Sequence, residues 1–262
     1  MTDKYLARED APFGSEIWGK LDTAMVQAVK QQLSRRRLLE IEGPFGFGLK
    51  SIPLADVQSD DGLKFSQTQP LVWIQRDFEL GTRDLANYER EKISLNVTPV
   101  MEAARACAEL EDKLIFEGTD DAPGLLTADG TQTLALSAWD EVGAAGSDLI
   151  KAITMLDDAG YHGPYTLALA PKNYNLLLRL YERGNRSELE HIKMMVTDGI
   201  VKAPVLESGG VLMASGRQYA SIVLGQDLSL GFIGPAGDKV EFFLTESVAL
   251  RVRVPEAICV LK

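Results

Sequence analysis

Two histidines (His162, His191), two cysteines (Cys107, Cys259) and 38 acidic residues are the side chains on which acid–base, nucleophilic or metal chemistry would rest. A metal centre needs His, Cys or carboxylate ligands at short fixed spacings, and the chain has neither an HxxxH nor a CxxC. Both histidines read as surface or loop residues. A serine hydrolase sets its nucleophile in G-x-S-x-G, whereas Ser215 sits in MASGR, which lacks the first glycine. Gly43, Gly46 and Gly48 are dense enough for a phosphate loop, but such a loop opens a helix, and here LKSIPLADVQ follows. These glycines read as turns. The pairs Asp60–Asp61, Asp120–Asp121 and Asp157–Asp158 fall at turns or helix ends, where solvated caps explain them better than catalysis. No catalytic residue, metal ligand or cofactor site is predicted, and the chain is not expected to be an enzyme.

Composition narrows the class further. The 262 residues are 45% hydrophobic and 25% charged, enough apolar surface for a sizeable core. A net charge of −11 argues against nucleic acid, whose phosphates need a concentrated basic face. The one basic run, Arg35–Arg36–Arg37, reads as a solvated helix end. Cys107 and Cys259 lie far apart in apolar stretches and read as buried thiols of a reducing compartment. MTDKYLARED has no apolar leader core, and no stretch approaches the roughly 18 apolar residues of a membrane span. The expectation is a cytoplasmic protein without a membrane partner.

The elements that would position any site follow from periodicity. Ser15 caps a helix running to about Leu33, with Ile17, Leu21, Ala24, Met25 and Ala28 at helical spacing. Residues 49–80 alternate polar and apolar about a turn at Ser59–Asp60–Asp61–Gly62 and read as a long two-stranded ribbon, marginal by itself in water. Thr98–Pro99 starts a long helix that stops at Gly118, with Glu109 and Lys113 as a favourable i,i+4 pair. From 135 to 223 short α and β pieces alternate: a helix near Ser147–Asp158, a strand over Tyr165–Ala170, and a helix over Lys172–Tyr181. A capping box follows at Ser187 and Glu190, then strands near Ile200–Val205, Val211–Ala214 and Ala220–Leu224. The last segment is strand-rich, in LSLGFI, KVEFFLT, VALRVRV and ICVLK. A compact insert inside a discontinuous body is the organisation this order suggests.

Several strings carry a resemblance: APFGSEIWGKLD through RRRLLEIEGPFGFG, DLANYEREK, AELEDKLIFEG, GPYTLAL, LGQDLSLGF and the closing VPEAICVLK. In this order, over essentially the whole chain, they resemble the encapsulin (linocin-like) nanocompartment shell family, family 1 type. The resemblance implies an α+β tailed-phage capsid fold of the Hong Kong phage type. Residues 1–48 would hold the N-terminal helix and the start of the peripheral domain, and 49–78 the extended E-loop. The rest of the peripheral domain would be 79–134 with the spine helix and 224–262 with the closing strands, around an axial domain at 135–223.

What the resemblance implies for function is a bacterial cytoplasmic shell of many identical subunits. The smallest icosahedral shell has on the order of 60 copies. Such a shell encloses a cargo enzyme, a ferritin-like iron-storage protein or a dye-decolourising peroxidase, through the cargo's C-terminal targeting peptide. The matching docking positions are Met25, Ala28, Val29, Arg36, Leu38, Glu40, Asp227, Leu228, Leu230 and Phe232; an amphipathic helix beside a strand can accept an extended apolar peptide. Glu182, Arg183, Gly184, Asn185, Arg186, Ser187 and Glu188 would form the five-fold pore loop. Some relatives hold a flavin against a tryptophan at the position of Arg83, and arginine lacks that indole face, so no flavin is carried over. A prophage major capsid protein and a bacteriocin- or protease-like activity are the alternatives.

Overall fold

The computed structural model describes residues 3–32, 36, 38–182 and 185–262. Arg35 and Arg37 of the basic run, and Arg183 and Gly184 of the expected pore loop, lie outside the described residues. The chain opens with α1 (Ser15–Gln32), β1 (Glu40–Glu42), β2 (Ser51–Pro53), β3 (Val57–Gln58), β4 (Lys64–Phe65) and β5 (Thr68–Pro70). Next come β6 (Val72–Gly81), α2 (Thr82–Glu91), α3 (Thr98–Phe116), β7 (Gly118–Thr119), β8 (Ala122–Pro123) and β9 (Gln132–Leu134). Then follow α4 (Ala144–Asp158), β10 (Tyr165–Leu169), α5 (Pro171–Leu176), α6 (Glu188–Met195), β11 (Gly199–Lys202) and β12 (Gly210–Ala214). Two long strands, β13 (Ala220–Ala236) and β14 (Lys239–Val252), precede the short β15 (Ile258–Leu261). The chain divides into two units: Met1–Leu33, Gly43–Glu111 and Val223–Ala249 in one, Ser34–Glu42, Asp112–Ile222 and Leu250–Lys262 in the other.

In the first unit β6 pairs antiparallel with β14, Phe78 opposite Phe242, and β14 lies beside β13. Val240, Phe242 and Leu244 alternate onto the buried side, the period of two that a strand imposes. α1 buries Ile17, Trp18, Leu21, Ala24, Met25, Ala28 and Val29, the stripe its sequence spacing predicts. Trp18 and Phe13 approach the Phe242 ring at centroid distances of 5.9 and 5.8 Å, and Phe78 stacks on it at 5.2 Å. Full burial of such a side chain is worth roughly 1.5–3 kcal/mol, so this aromatic cluster fastens the helix to the sheet. KVEFFLT and VALRVRV form one strand, where the sequence suggested two. The polar residues between them are buried and satisfied: the Trp73 indole donates to Thr245 Oγ1, and Ser247 Oγ accepts from the Gln226 amide at 2.9 Å. Helix α2 was not legible, because only Leu85 and Tyr88 of its ten residues are buried.

The ribbon is shorter than its sequence pattern. Ser51–Pro53 pairs with Thr68–Pro70, and Val57–Gln58 with Lys64–Phe65. The predicted turn closes it, the Gly62 amide donating to the Ser59 carbonyl at 3.0 Å. Residues 72–80, read from sequence as part of the ribbon, belong to β6 of the sheet instead.

In the second unit five strands run β11-β10-β12-β15-β9. β10 and β12 are buried at every position, which explains why YTLAL and GVLMA are apolar without alternation. α4 turns Ala145, Leu149, Ala152 and Leu156 into a core shared with Leu167, Leu212 and Cys259. The helix expected over Lys172–Tyr181 ends at Leu176. Arg179 lies just past that end, its Nε–H donating to the Leu176 carbonyl at 3.0 Å, and Leu180 bridges to Ser187 instead of continuing the helix. Gly118 ends α3 at φ +75°, where a Cβ would stand 2.2 Å from the Gly124 amide nitrogen, so no other residue fits.

Asp148 pins the segment before α4. Its Oδ2 accepts from the Ser137 amide and hydroxyl, both at 2.7 Å, and from the Trp139 indole at 3.0 Å, while Oδ1 meets Lys151 at 2.9 Å. Burial pushes this carboxyl up, but the bonds from Lys151, Ser137 and Trp139 outweigh it and hold the group at about 2, below its ordinary 3.8. A depressed acid stabilises the fold above its unfolded value and loses that contribution as pH falls through the folded one. Asp148 therefore supplies about 2 kcal/mol that disappears between roughly pH 4 and pH 2. Asp148→Asn is expected to lower stability by about that amount at pH 7 and to flatten the acid limb, read by urea unfolding across pH.

Candidate functional site

Three features could act on something outside the chain: the ribbon, the expected docking residues of each unit, and the loop before α6. His162 is exposed with Nδ1 3.1 Å from Asp157 Oδ1, and His191 lies on α6 with its ring 4.7 Å from that of Tyr181. Burial pushes the Cys107 thiol up to about 12 and the Cys259 thiol up to about 11, far from a reactive thiolate. Among the described residues no group of three or more His, Cys, Asp or Glu could hold a metal ion. Arg83 is exposed on α2.

The ribbon leaves its apolar side chains in water. Leu63 is 59% exposed and Phe65 54%, with Leu54 and Val57 exposed beside them. Val57 faces Phe65 directly across the ladder. At its base only Ile52 and Gln69 are buried, Ile52 within a small cluster with Val223 and Ala249.

The expected docking residues divide by unit and by exposure. Met25, Ala28 and Val29 lie on the buried stripe of α1, and Leu230 and Phe232 are buried on β13. Asp227 is exposed and Leu228 half-buried. The edge of β13 is occupied here by the chain itself. The Leu228 amide donates to Asp227 Oδ1 at 3.0 Å, Arg8 Nε–H to the Leu230 carbonyl at 2.8 Å, and the Phe232 amide to the Leu6 carbonyl at 2.8 Å. Arg8 also grips both carboxylate oxygens of Asp22 on α1, at 2.6 and 2.9 Å, and lies 4.7 Å over the Trp18 ring. In the second unit Arg36, Leu38 and Glu40 share a groove of about 360 Å³ with Asp198 and Gly216.

Sequence reasoning missed a larger groove in the first unit, about 730 Å³, between the polar side of α1 and the end of α2. Tyr88 donates to Glu16 Oε1 at 2.8 Å and Lys92 pairs with Glu16 Oε2. Those bonds, from Lys92 first and then Tyr88, lower the Glu16 carboxyl, while Glu16 raises both the Lys92 and Tyr88 values. Glu16, Lys20, Thr23 and Gln27 line it from the polar face of α1.

The loop before α6 is closed at its base. The Tyr181 amide donates to the Arg186 carbonyl at 3.0 Å, the Glu188 amide to the Arg179 carbonyl at 3.0 Å, and the Leu189 amide to the Leu177 carbonyl at 2.7 Å. Glu182, Asn185 and Arg186 are exposed, Asn185 in the left-handed region at φ +50°. The predicted capping box forms: Ser187 Oγ accepts from the Glu190 amide, and Glu190 Oε2 from the Ser187 amide at 2.7 Å. Glu188 stands apart from the other loop residues, being fully buried.

Comparison with known proteins supplies the family and the fold. The family described as encapsulating protein for peroxidase matches residues 2–249. A type 1 encapsulin shell protein of Myxococcus xanthus is 30% identical, over 98% of this chain and 96% of its own length. A virus-like particle subunit from Pyrococcus furiosus superposes with a TM-score of 0.80 at 26% identity, covering 94% of this chain and 100% of that one. The capsid protein of the Myoviridae phage XM1 shares the fold alone, with a TM-score of 0.65 at 14% identity, over 85% of this chain and 88% of its own.

Proposed function

Because the chain belongs to the encapsulin family of shell proteins, with the tailed-phage capsid fold, we propose that many copies of it close into an icosahedral compartment around a cargo protein. The observation that carries this reading is the ribbon. Exposed Leu54, Val57, Leu63 and Phe65 have no layer of their own chain to cover them, and a neighbouring copy in a closed symmetric shell would supply one. A charge of −11 with no basic arm among the described residues suits a protein cargo better than a genome. The subunit's part is structural, and catalysis belongs to the cargo.

That cargo is a ferritin-like iron oxidase or a dye-decolourising peroxidase carrying a short C-terminal targeting peptide; the family's description supports the peroxidase. The peptide docks on the first unit at positions carried over by resemblance, Met25, Ala28, Val29, Asp227, Leu228, Leu230 and Phe232; the same resemblance names Arg36, Leu38 and Glu40, which lie in the second unit. Leu228 and Asp227 are its accessible contacts on β13, and Glu40 borders the groove in the second unit. In the pore loop assigned by resemblance to 182–188, the exposed Glu182, Asn185 and Arg186 line the five-fold opening through which small substrates reach the cargo, and the buried Glu188 lies behind them.

Purified protein is expected to appear as uniform hollow particles by electron microscopy, free of nucleic acid; sedimentation as a monomer or dimer at working concentration overturns the reading. A Leu63→Asp, Phe65→Asp double variant should keep its far-ultraviolet circular dichroism and lose closed particles, and particles of normal yield would remove the ribbon from assembly. Leu228→Asp should leave the shell intact and cut capture of a peptide-tagged peroxidase about ten-fold, equivalent to roughly 1.4 kcal/mol. Capture at the parental level would move docking elsewhere.

A further inference from the structure

Glu188 is the first residue of α6, yet its side chain points away from that helix's solvent side and is fully buried. Oε1 accepts from the amides of Gly143 at 3.0 Å and Gly146 at 2.9 Å, which are the cap and third position of α4. Oε2 lies 3.9 Å from the Arg179 guanidinium. One carboxylate thus sits at the positive ends of two helices, where anions are favoured. Arg179 spreads the rest of its donors over the turn that leads into α4: to the carbonyls of Asp140 at 2.9 Å and Trp139 at 2.8 Å, beside its bond to Leu176. Arg179 and Glu188 are also the pair whose main chains join at the base of the loop.

We infer that Glu188 is the positioning residue for the base of the loop before α6, with Arg179 its partner, so that the exposed Asn185 and Arg186 stand where the α4 N-terminus holds them. Glu190, two residues on, closes its own helix cap. The loop residue that sets the loop's place is therefore not one that solvent meets. The link from loop position to passage through a shell rests on the pore reading proposed above, and the two are separable by experiment.

Glu188→Gln keeps the side chain's shape and removes its charge. Tryptic cleavage after the exposed Arg186 in assembled particles should then accelerate roughly ten-fold, the scale of losing charge-assisted bonds at a buried site. A Glu188→Gln, Gly146→Asp double variant gives α4 an acid in its own first turn, where a Cβ meets nothing closer than 3.8 Å. Its thermal midpoint should recover while cleavage stays fast, and this variant carries the test if the single one does not fold. Parental cleavage rates in Glu188→Gln, or cleavage that slows together with the recovered midpoint, would overturn the inference. Escape of a small trapped dye, followed in the same particles, should rise with cleavage; faster cleavage with unchanged escape leaves Glu188 as the positioning residue and removes the loop from the pore.

Discussion

An antiparallel ribbon gives each strand one partner and puts no layer behind either. Between residues 53 and 68 this chain puts Leu54, Val57, Leu63 and Phe65 on such a ribbon, and a cross-strand pair like Val57 and Phe65 shields only part of its own apolar surface. Both units are complete without it. The first has its aromatic cluster around Phe242, and the second has the core of Leu149, Leu167 and Leu212. The unfavourable hydration of the ribbon is therefore left over after folding, and in the proposed shell contact with another subunit relieves it. That asymmetry, packed cores bearing an uncovered arm, is what the proposed assembly would complete.

The second unit solves a different problem. Two of its buried carboxylates tie segments together: Asp148 of α4 gathers the Ser137–Trp139 segment, and Glu188 of α6 accepts from the amides of Gly143 and Gly146 at the start of α4. Local turn geometry in this unit is consequently fixed by charge as well as by packing.

The features the sequence disclosed are those decided locally. The α1 stripe, the turn at Ser59–Gly62, the stop at Gly118 and the Ser187–Glu190 box all depend on residues within a few positions of one another. The misreadings came where distant residues decide. Thr245–Glu246–Ser247 looks like a break in a strand until Trp73 and Gln226 meet it. Leu177–Tyr181 has helical composition, but Arg179 and Leu180 find partners elsewhere in the second unit. Glu188 and Glu190 are chemically identical, but two positions on one helix stand roughly 200° apart, so one meets α4 and the other solvent. The docking residues were reached through family likeness; periodicity alone would have assigned Met25, Ala28 and Val29 to the core of α1.

The two cysteines have a practical corollary. Each lies at 0% exposure with its thiol held protonated well above neutrality, one in each unit. Alkylating reagents and mild oxidants act on accessible thiolates, so the native protein is chemically silent toward them. A single cysteine introduced at the turn of the ribbon or at the exposed Asn185 would then be the one handle that maleimide chemistry finds, and every attached dye, sugar or antigen would report from a known address.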